Sequence, residues 1–195
     1  MKQKYVWKLK DVILVGLLSV VFGIVYLAAV YFAAFLGVAL TPLGLAPLAN
    51  EFVFGVWFMA ATLAAYILQK PGVAIVAEVL AALLEVLMGN MYGPIVIVSG
   101  IIQGLGAELV FAAVRYRKFN LQTMCIAAAG CCVTSFIWGF FRSGFLALSP
   151  WLLLAMFGIR LVSSVLFSGI LCKAIGDGLA KTGLLKSYAL GQTGD

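Results

Sequence analysis

Six long apolar stretches, separated by breaks rich in Pro, Gly or charged residues, constrain the fold of this chain more than any other feature. A helix needs ~20 apolar residues to cross a bilayer. The stretches predict membrane spans at about residues 12–38, 50–69, 72–88, 94–114, 121–142 and 151–175. We therefore expect an all-α fold: a single domain over residues 1–195 that forms an integral membrane bundle of six transmembrane helices.

The composition agrees with a membrane protein. Of the 195 residues, 65% are hydrophobic and 10% are charged, whereas charged residues make up about a quarter of an ordinary soluble domain. Histidine is absent, which excludes His-ligated metals and Ser-His-Asp chemistry. The four cysteines lack CxxC spacing and lie in apolar stretches, so we expect small buried residues without a disulfide or a metal.

The distribution of Lys and Arg predicts the orientation. If the N-terminus is cytoplasmic, the outer side holds only Arg142, and Arg160 lies within the sixth span. The other eleven cations fall on the inner side: Lys2, Lys4, Lys8, Lys10, Lys70, Arg115, Arg117, Lys118, Lys173, Lys181 and Lys186. Because cytoplasmic loops carry the excess of Lys and Arg, both termini are predicted to be cytoplasmic.

Four glutamates within or beside the apolar spans are the strongest indication of function. Each would cost about 2.5–3.5 kcal/mol at the bilayer centre, so they must face a polar partner or a ligand. Glu78 and Glu85 are seven residues apart, on one face of a helix. The predicted outer half of the bundle gathers the candidate substrate-binding residues Glu51, Trp57, Glu85, Asn90, Tyr92, Gln103, Trp138 and Trp151.

Carboxylates and aromatic rings together are typical of a site for a cationic or amine-bearing ring compound. Structural alternatives stay open. Glu85 could be a solvated residue near a helix end, and Glu51 could favour a helix dipole. Trp151 has the residue type and the position of an interfacial belt residue.

Deeper in the bundle, the sequence predicts a structural ion pair or network among Glu78, Glu108 and Arg160, with the choice between Glu78 and Glu108 as the partner of Arg160 left open. Small residues recur along the first span at Gly16, Ser19, Gly23, Ala29 and Ala33. Such spacing permits close helix approach. It predicts either docking of a scaffold subunit or packing of a neighbouring helix in the same bundle.

The chain lacks phosphate-binding and dinucleotide-binding loops. Ala180-Lys181-Thr182 is not preceded by the required glycines, and Gly104-Leu105-Gly106 follows no strand. We expect no cofactor and no enzyme activity, so any ATP that drives transport is hydrolysed by another subunit. An intramembrane hydrolase is disfavoured because no nucleophile–base pair is evident. A stand-alone facilitator is disfavoured because the polar residues do not follow a continuous path.

Three segments resemble the YkoE family, the substrate-binding S subunits of energy-coupling-factor (ECF) transporters. They are Lys70-Pro71-Gly72-Val73-Ala74, Gly89-Asn90-Met91-Tyr92-Gly93 and Gln103-Gly104-Leu105-Gly106-Ala107-Glu108. The resemblance implies binding of thiamine or its hydroxymethylpyrimidine (HMP) precursor. It also implies docking on a transmembrane scaffold with two ATPase subunits, in the cytoplasmic membrane of a prokaryote.

Further expectations follow from the resemblance. Glu85 is expected to meet the aminopyrimidine, and Trp57 and Trp138 are expected to stack on the rings. The segment from Ala39 to Asn50 would be the outer lid. An S subunit for another small cationic or amine vitamin is the alternative.

Overall fold

The structure, a computed structural model, describes residues 6–192. Every regular element in this part of the chain is helical, which confirms the predicted all-α class. Lys2 and Lys4, which contributed to the predicted orientation, lie outside the described residues.

The bundle contains eight α-helices in the described residues, some of them joined end to end. They are α1 (Leu9–Leu40), α2 (Ala49–Val53), α3 (Met59–Leu68), α4 (Val73–Leu87), α5 (Ile95–Ala113), α6 (Leu121–Arg142), α7 (Pro150–Ser164) and α8 (Cys172–Lys181). A π-helical segment, Val165–Leu171, joins α7 to α8. Within residues 6–192, five segments are long and apolar enough to cross a membrane: Leu9–Leu43, Ala46–Leu68, Ile95–Ala113, Leu121–Arg142 and Pro150–Lys181.

The second predicted span differs most from a regular helix. Ala46–Leu48 and Phe54–Phe58 are 3-10 turns on either side of the short helix α2, and only α3 continues as a regular helix. All ten residues of α3 are buried, and four of them are alanines. Such small side chains let neighbouring helices approach closely, so α3 forms the centre of the bundle.

Helix α4 is the short member of the six predicted spans. Its 15 residues rise about 22 Å, less than the ~30 Å of the hydrocarbon core. It packs against α1, α3 and α5, and Val76, Leu83 and Leu87 remain exposed on its outer face. The loop before it, residues 69–72, is fixed on several sides: the Trp7 indole donates to the Pro71 carbonyl (3.2 Å), and Lys70 pairs with Asp11 (2.5 Å).

The glycines of the Gln-Gly-Leu-Gly-Ala-Glu segment place α5 between two neighbours. A Cβ at Gly104 would lie 2.8 Å from the Ile75 Cα of α4, and one at Gly106 would lie 2.6 Å from the Gly130 carbonyl oxygen of α6. Only a residue without a side chain allows these approaches. The three helices α4, α5 and α6 are therefore held at fixed spacing, and they form one side of the candidate site.

The small residues of α1 serve this packing as well. Ser19 donates to the Ala77 carbonyl of α4 (3.2 Å), and a Cβ at Gly23 would lie 3.0 Å from the Leu84 Cβ. Ala29 and Ala33 are buried too. The docking prediction for Ser19, Gly23, Ala29 and Ala33 is thus wrong, because they pack inside the same bundle. Gly16 is half-buried with open space beside it, and its docking role stays a prediction.

The cysteines are free thiols. Cys131, Cys132 and Cys172 are buried and Cys125 is half-buried, as small apolar residues of the helix interfaces.

Candidate functional site

A cavity of about 420 Å³ lies at one end of the bundle. Its walls come from the ends of α4 and α6, the starts of α5 and α7, the middle of α1 and the irregular second span. Basic residues such as Lys10, Lys70 and Lys118 belong to the opposite end of the same helices. The cavity and the basic residues therefore mark opposite ends of the bundle.

Seven of the eight predicted substrate-binding residues line this cavity: Glu51, Trp57, Glu85, Asn90, Tyr92, Gln103 and Trp138. Trp151 does not line it. Its side chain is 81% exposed at the start of α7, the position expected of an interfacial belt residue.

Glu85 is positioned by the turn that ends α4. The Asn90 amide donates to its Oε1 (2.5 Å), and Asn90 Oδ1 accepts the backbone N–H of Tyr92 (2.6 Å). Trp57 lines the same cavity. Asn90, which was predicted as a separate contact, therefore holds the carboxylate at the cavity wall.

Arg160 pairs with Glu51, so the predicted network with Glu78 and Glu108 is wrong. Arg160 Nε lies 2.5 Å from Glu51 Oε2, and its Nη2 lies 2.7 Å from Oε1. The guanidinium also stacks on the Phe54 ring, with 3.6 Å between its Cζ and the ring centroid. Both charged side chains are buried. Because Glu51 already neutralises Arg160, it is one of the less available acceptors in the cavity.

Glu108 has a structural role at the other end of the bundle. Its carboxylate accepts the backbone N–H groups of Gly72 (2.5 Å) and Ala74 (3.1 Å), and the Tyr116 hydroxyl donates to it (2.6 Å). A carboxylate there satisfies the unpaired donors at the N-terminus of α4. Glu108 lies outside the cavity lining.

Glu78 lies in the cavity wall two turns before Glu85. Its Oε2 accepts the Tyr26 hydroxyl (2.9 Å) and the Ala61 backbone N–H (3.0 Å). The Tyr26 oxygen in turn accepts the Ala60 N–H (2.9 Å). Helices α1, α3 and α4 thus meet at this carboxylate.

Aromatic side chains form the remaining walls. Trp57 and Phe54 pack edge to face at 5.3 Å. On the other side, the Trp138 indole donates to Ser99 Oγ (3.0 Å), and Arg142 Nη1 donates to the same oxygen (3.2 Å).

Arg142 was not predicted from the sequence as a cavity residue. Its guanidinium lies 5.3 Å from the Tyr92 ring centroid, and it lines the cavity with Tyr26 and Ser99. One pattern could have revealed it: Arg142 follows Trp138 by four residues on α6, so the two share a helix face. The cavity therefore contains three carboxyl groups and two guanidinium groups rather than carboxylates alone.

The segment after α1 closes one side of the cavity. Pro47 and Asn50 line it, and Leu48 packs in a small apolar cluster with Phe145 and Met156.

In the described part of the chain, no group of three or more His, Cys, Asp or Glu residues is arranged to hold a metal ion.

Comparison with known proteins agrees with this architecture. A family described as the permease component of an ABC-type cobalt transport system matches residues 10–134. The HMP/thiamine permease protein YkoE of Bacillus subtilis (strain 168) is 45% identical over 186 residues, covering 95% of this chain and 91% of that protein.

A solved structure of an S-component of an ECF transporter superposes with a TM-score of 0.91 at 45% identity. The match covers 96% of this chain and 93% of that chain. At this identity and coverage, this chain and its relatives are similar in sequence as well as in fold. This chain is a multi-pass membrane protein that belongs to the YkoE family of S components of ECF transporters.

Proposed function

We propose that the cavity binds thiamine or its HMP precursor, and that the chain is the substrate-capturing subunit of an ECF-type importer. The observation that carries the proposal is the pairing of Glu85 with aromatic walls. A carboxylate held by Asn90 lines the same cavity as the Trp57 and Trp138 indoles. The name of the Bacillus subtilis relative supports the choice of ligand.

The chemistry of the ligand fits these groups. The aminopyrimidine ring shared by thiamine and HMP presents N–H donors, which a carboxylate accepts well. Thiamine adds a thiazolium ring with a fixed positive charge, and such a cation is attracted to indole faces. The cavity volume of about 420 Å³ is in the range of small-molecule sites, roughly 300–1,000 Å³.

The cavity is proposed to open to the outer face of a prokaryotic cytoplasmic membrane. This follows from the basic residues at the opposite end of the bundle, because an excess of Lys and Arg marks the cytoplasmic side. Both termini then lie in the cytoplasm, and α4 counts as the sixth, short transmembrane helix. The segment from Ala39 to Asn50 is proposed as the outer lid.

Uptake requires partners that hydrolyse ATP, because the sequence carries no phosphate-binding loop. We propose that the chain docks on an ECF transmembrane scaffold subunit with two ATPase subunits. Membership of the S-component family supports this assembly.

The test is a calorimetric titration of the detergent-purified chain with thiamine, HMP, riboflavin and Co²⁺, the last because the matched family description names cobalt. We expect saturable binding of thiamine or HMP and no binding of the other two. Binding of riboflavin or Co²⁺ alone would overturn the proposed substrate while leaving the family assignment intact. If none of the four compounds bound, the proposed substrate would likewise be overturned and the family assignment would stand.

A further inference from the structure

The carboxyl group of Glu78 is only half satisfied by the protein. Its Oε2 accepts two hydrogen bonds, from Tyr26 and from the Ala61 backbone. Its Oε1 is buried and accepts none from any described residue. Glu78 is fully buried within the bundle, yet it lines the cavity. A buried oxygen without a partner costs free energy, and such groups are few in native proteins, so this one calls for a partner that the protein itself does not supply.

The position of Glu78 is fixed by its neighbours. Gly104 on α5 would bring a Cβ within 3.2 Å of the Glu78 Cβ, so α5 lies directly against this residue. The two donors on Oε2 come from α1 and from the start of α3. Because three helices hold the carboxyl group, Oε1 cannot easily turn away to another partner within the protein.

We propose that Glu78 Oε1 is the inner acceptor of the binding site and takes a hydrogen bond from a hydroxyl or amine group at the end of the ligand. Glu78 and Glu85 lie on the same face of α4, seven residues apart, which corresponds to about 10 Å along the helix. Both line the one cavity. The ligand is therefore an elongated molecule with hydrogen-bond donors at both ends, one for each carboxylate.

This inference rests on the proposed function, which it deepens. With the aminopyrimidine of thiamine at Glu85, the hydroxyethyl group on the far ring extends toward Glu78. Its O–H donates to Oε1. HMP has a single ring and is too short to reach both carboxylates at once.

The substitution Glu78→Gln inverts the chemistry at this point. Tyr26 and Ala61 both donate to Oε2, so the glutamine carbonyl oxygen must take that place. The glutamine NH₂ group then stands where Oε1 stood. An acceptor becomes a donor, with almost no change in size, and it faces the ligand hydroxyl directly.

The experiment compares thiamine with an analogue in which the hydroxyethyl group is replaced by ethyl, by calorimetry on the purified chain. For the wild type we expect thiamine to bind at least about tenfold more tightly than the ethyl analogue. Glu78→Gln should reduce this preference to less than about twofold. Glu85→Gln should weaken both ligands and keep the preference, because both carry the aminopyrimidine.

Glu108→Gln is the matched control, since Glu108 is a buried carboxylate outside the cavity, and it should keep the tenfold preference. Equal affinities of the wild type for the two ligands would overturn the inference but leave the proposed function standing, and this arm needs no variant to fold. Unchanged thiamine binding by Glu78→Gln would also overturn the inference. The glutamine NH₂ group can only donate a hydrogen bond at the position of Oε1, so unchanged binding would mean that Oε1 does not act as an acceptor for the ligand. Binding of HMP without thiamine would also overturn the inference and leave the proposed function standing, whereas absence of binding of thiamine, the ethyl analogue and HMP would refute the proposed function itself.

Discussion

The guanidinium of Arg160 forms two hydrogen bonds with the carboxylate of Glu51, joining α7 to the irregular second span across 109 residues of sequence. Ser135 on α6 is a further partner, at 3.3 Å from Arg160 Nη1. The pair lies in the cavity wall. Its contribution is expected to be structural, because each charge is already balanced by the other.

Removal of one member of this pair should destabilise the protein. Glu51→Gln leaves the Arg160 charge buried without its partner, which typically costs about 3–5 kcal/mol. We expect a clear fall in the thermal unfolding midpoint in detergent. The double variant Glu51→Leu/Arg160→Met should recover much of that stability, since an apolar pair leaves no uncompensated charge. A single variant as stable as the wild type would show that the pair is dispensable.

Substitutions at two buried glutamates should distinguish a loss of ligand affinity from a loss of stability. Glu85→Gln is expected to weaken thiamine binding at least about tenfold, equivalent to ~1.4 kcal/mol, because Glu85 lines the cavity. Glu108→Gln should leave affinity unchanged and lower the unfolding midpoint, because Glu108 holds the start of α4. Calorimetry measures the affinity of both variants for thiamine, and thermal unfolding measures their stability. Equal affinity losses in the two would contradict this division of roles.

The close approach of α4 and α5 gives a third prediction. In Gly104→Ala the new Cβ would lie 2.8 Å from the Ile75 Cα and 3.2 Å from the Ala74 carbonyl oxygen, so the two helices must separate. We expect a destabilisation of about 1–3 kcal/mol and weaker ligand binding, since Gln103 and Glu78 line the cavity from these helices.

Gly158→Ala is the control for this substitution. Gly158 is also within a helix, α7, and a Cβ there meets nothing within 4 Å. Because alanine favours the helix over glycine by about 0.5–1 kcal/mol, stability should be unchanged or slightly higher. If Gly104→Ala behaved in the same way, the packing role given to Gly104 would be wrong.

Local patterns in the sequence predicted the helices and which of their residues share a face. Apolar stretches predicted the long helices, and the seven-residue spacing of Glu78 and Glu85 predicted a shared face. Both side chains indeed line one cavity. Such inferences succeed because helix periodicity is a local property.

Contacts between residues distant in the sequence could not be predicted from local patterns. The placement of Glu51 in the outer half of the bundle assumed a regular second span, whereas 3-10 turns and α2 carry this residue into the interior, where it meets Arg160. The stripe of small residues on α1 predicted a close approach, but it left open whether a scaffold subunit or a helix of the same bundle makes it. In the structure that helix is α4.

The most direct test of the central claim, that this cavity binds thiamine or its HMP precursor, is intrinsic fluorescence of tryptophan variants during titration with thiamine and, separately, with HMP. Trp57 and Trp138 line the cavity, whereas Trp151 lies outside it and is 81% exposed. We predict saturable quenching in the wild type and in Trp151→Phe with the same midpoint, and loss of most of the quenching in the Trp57→Phe/Trp138→Phe double variant. Full quenching in the double variant, together with its loss in Trp151→Phe, would place the ligand elsewhere and contradict the account.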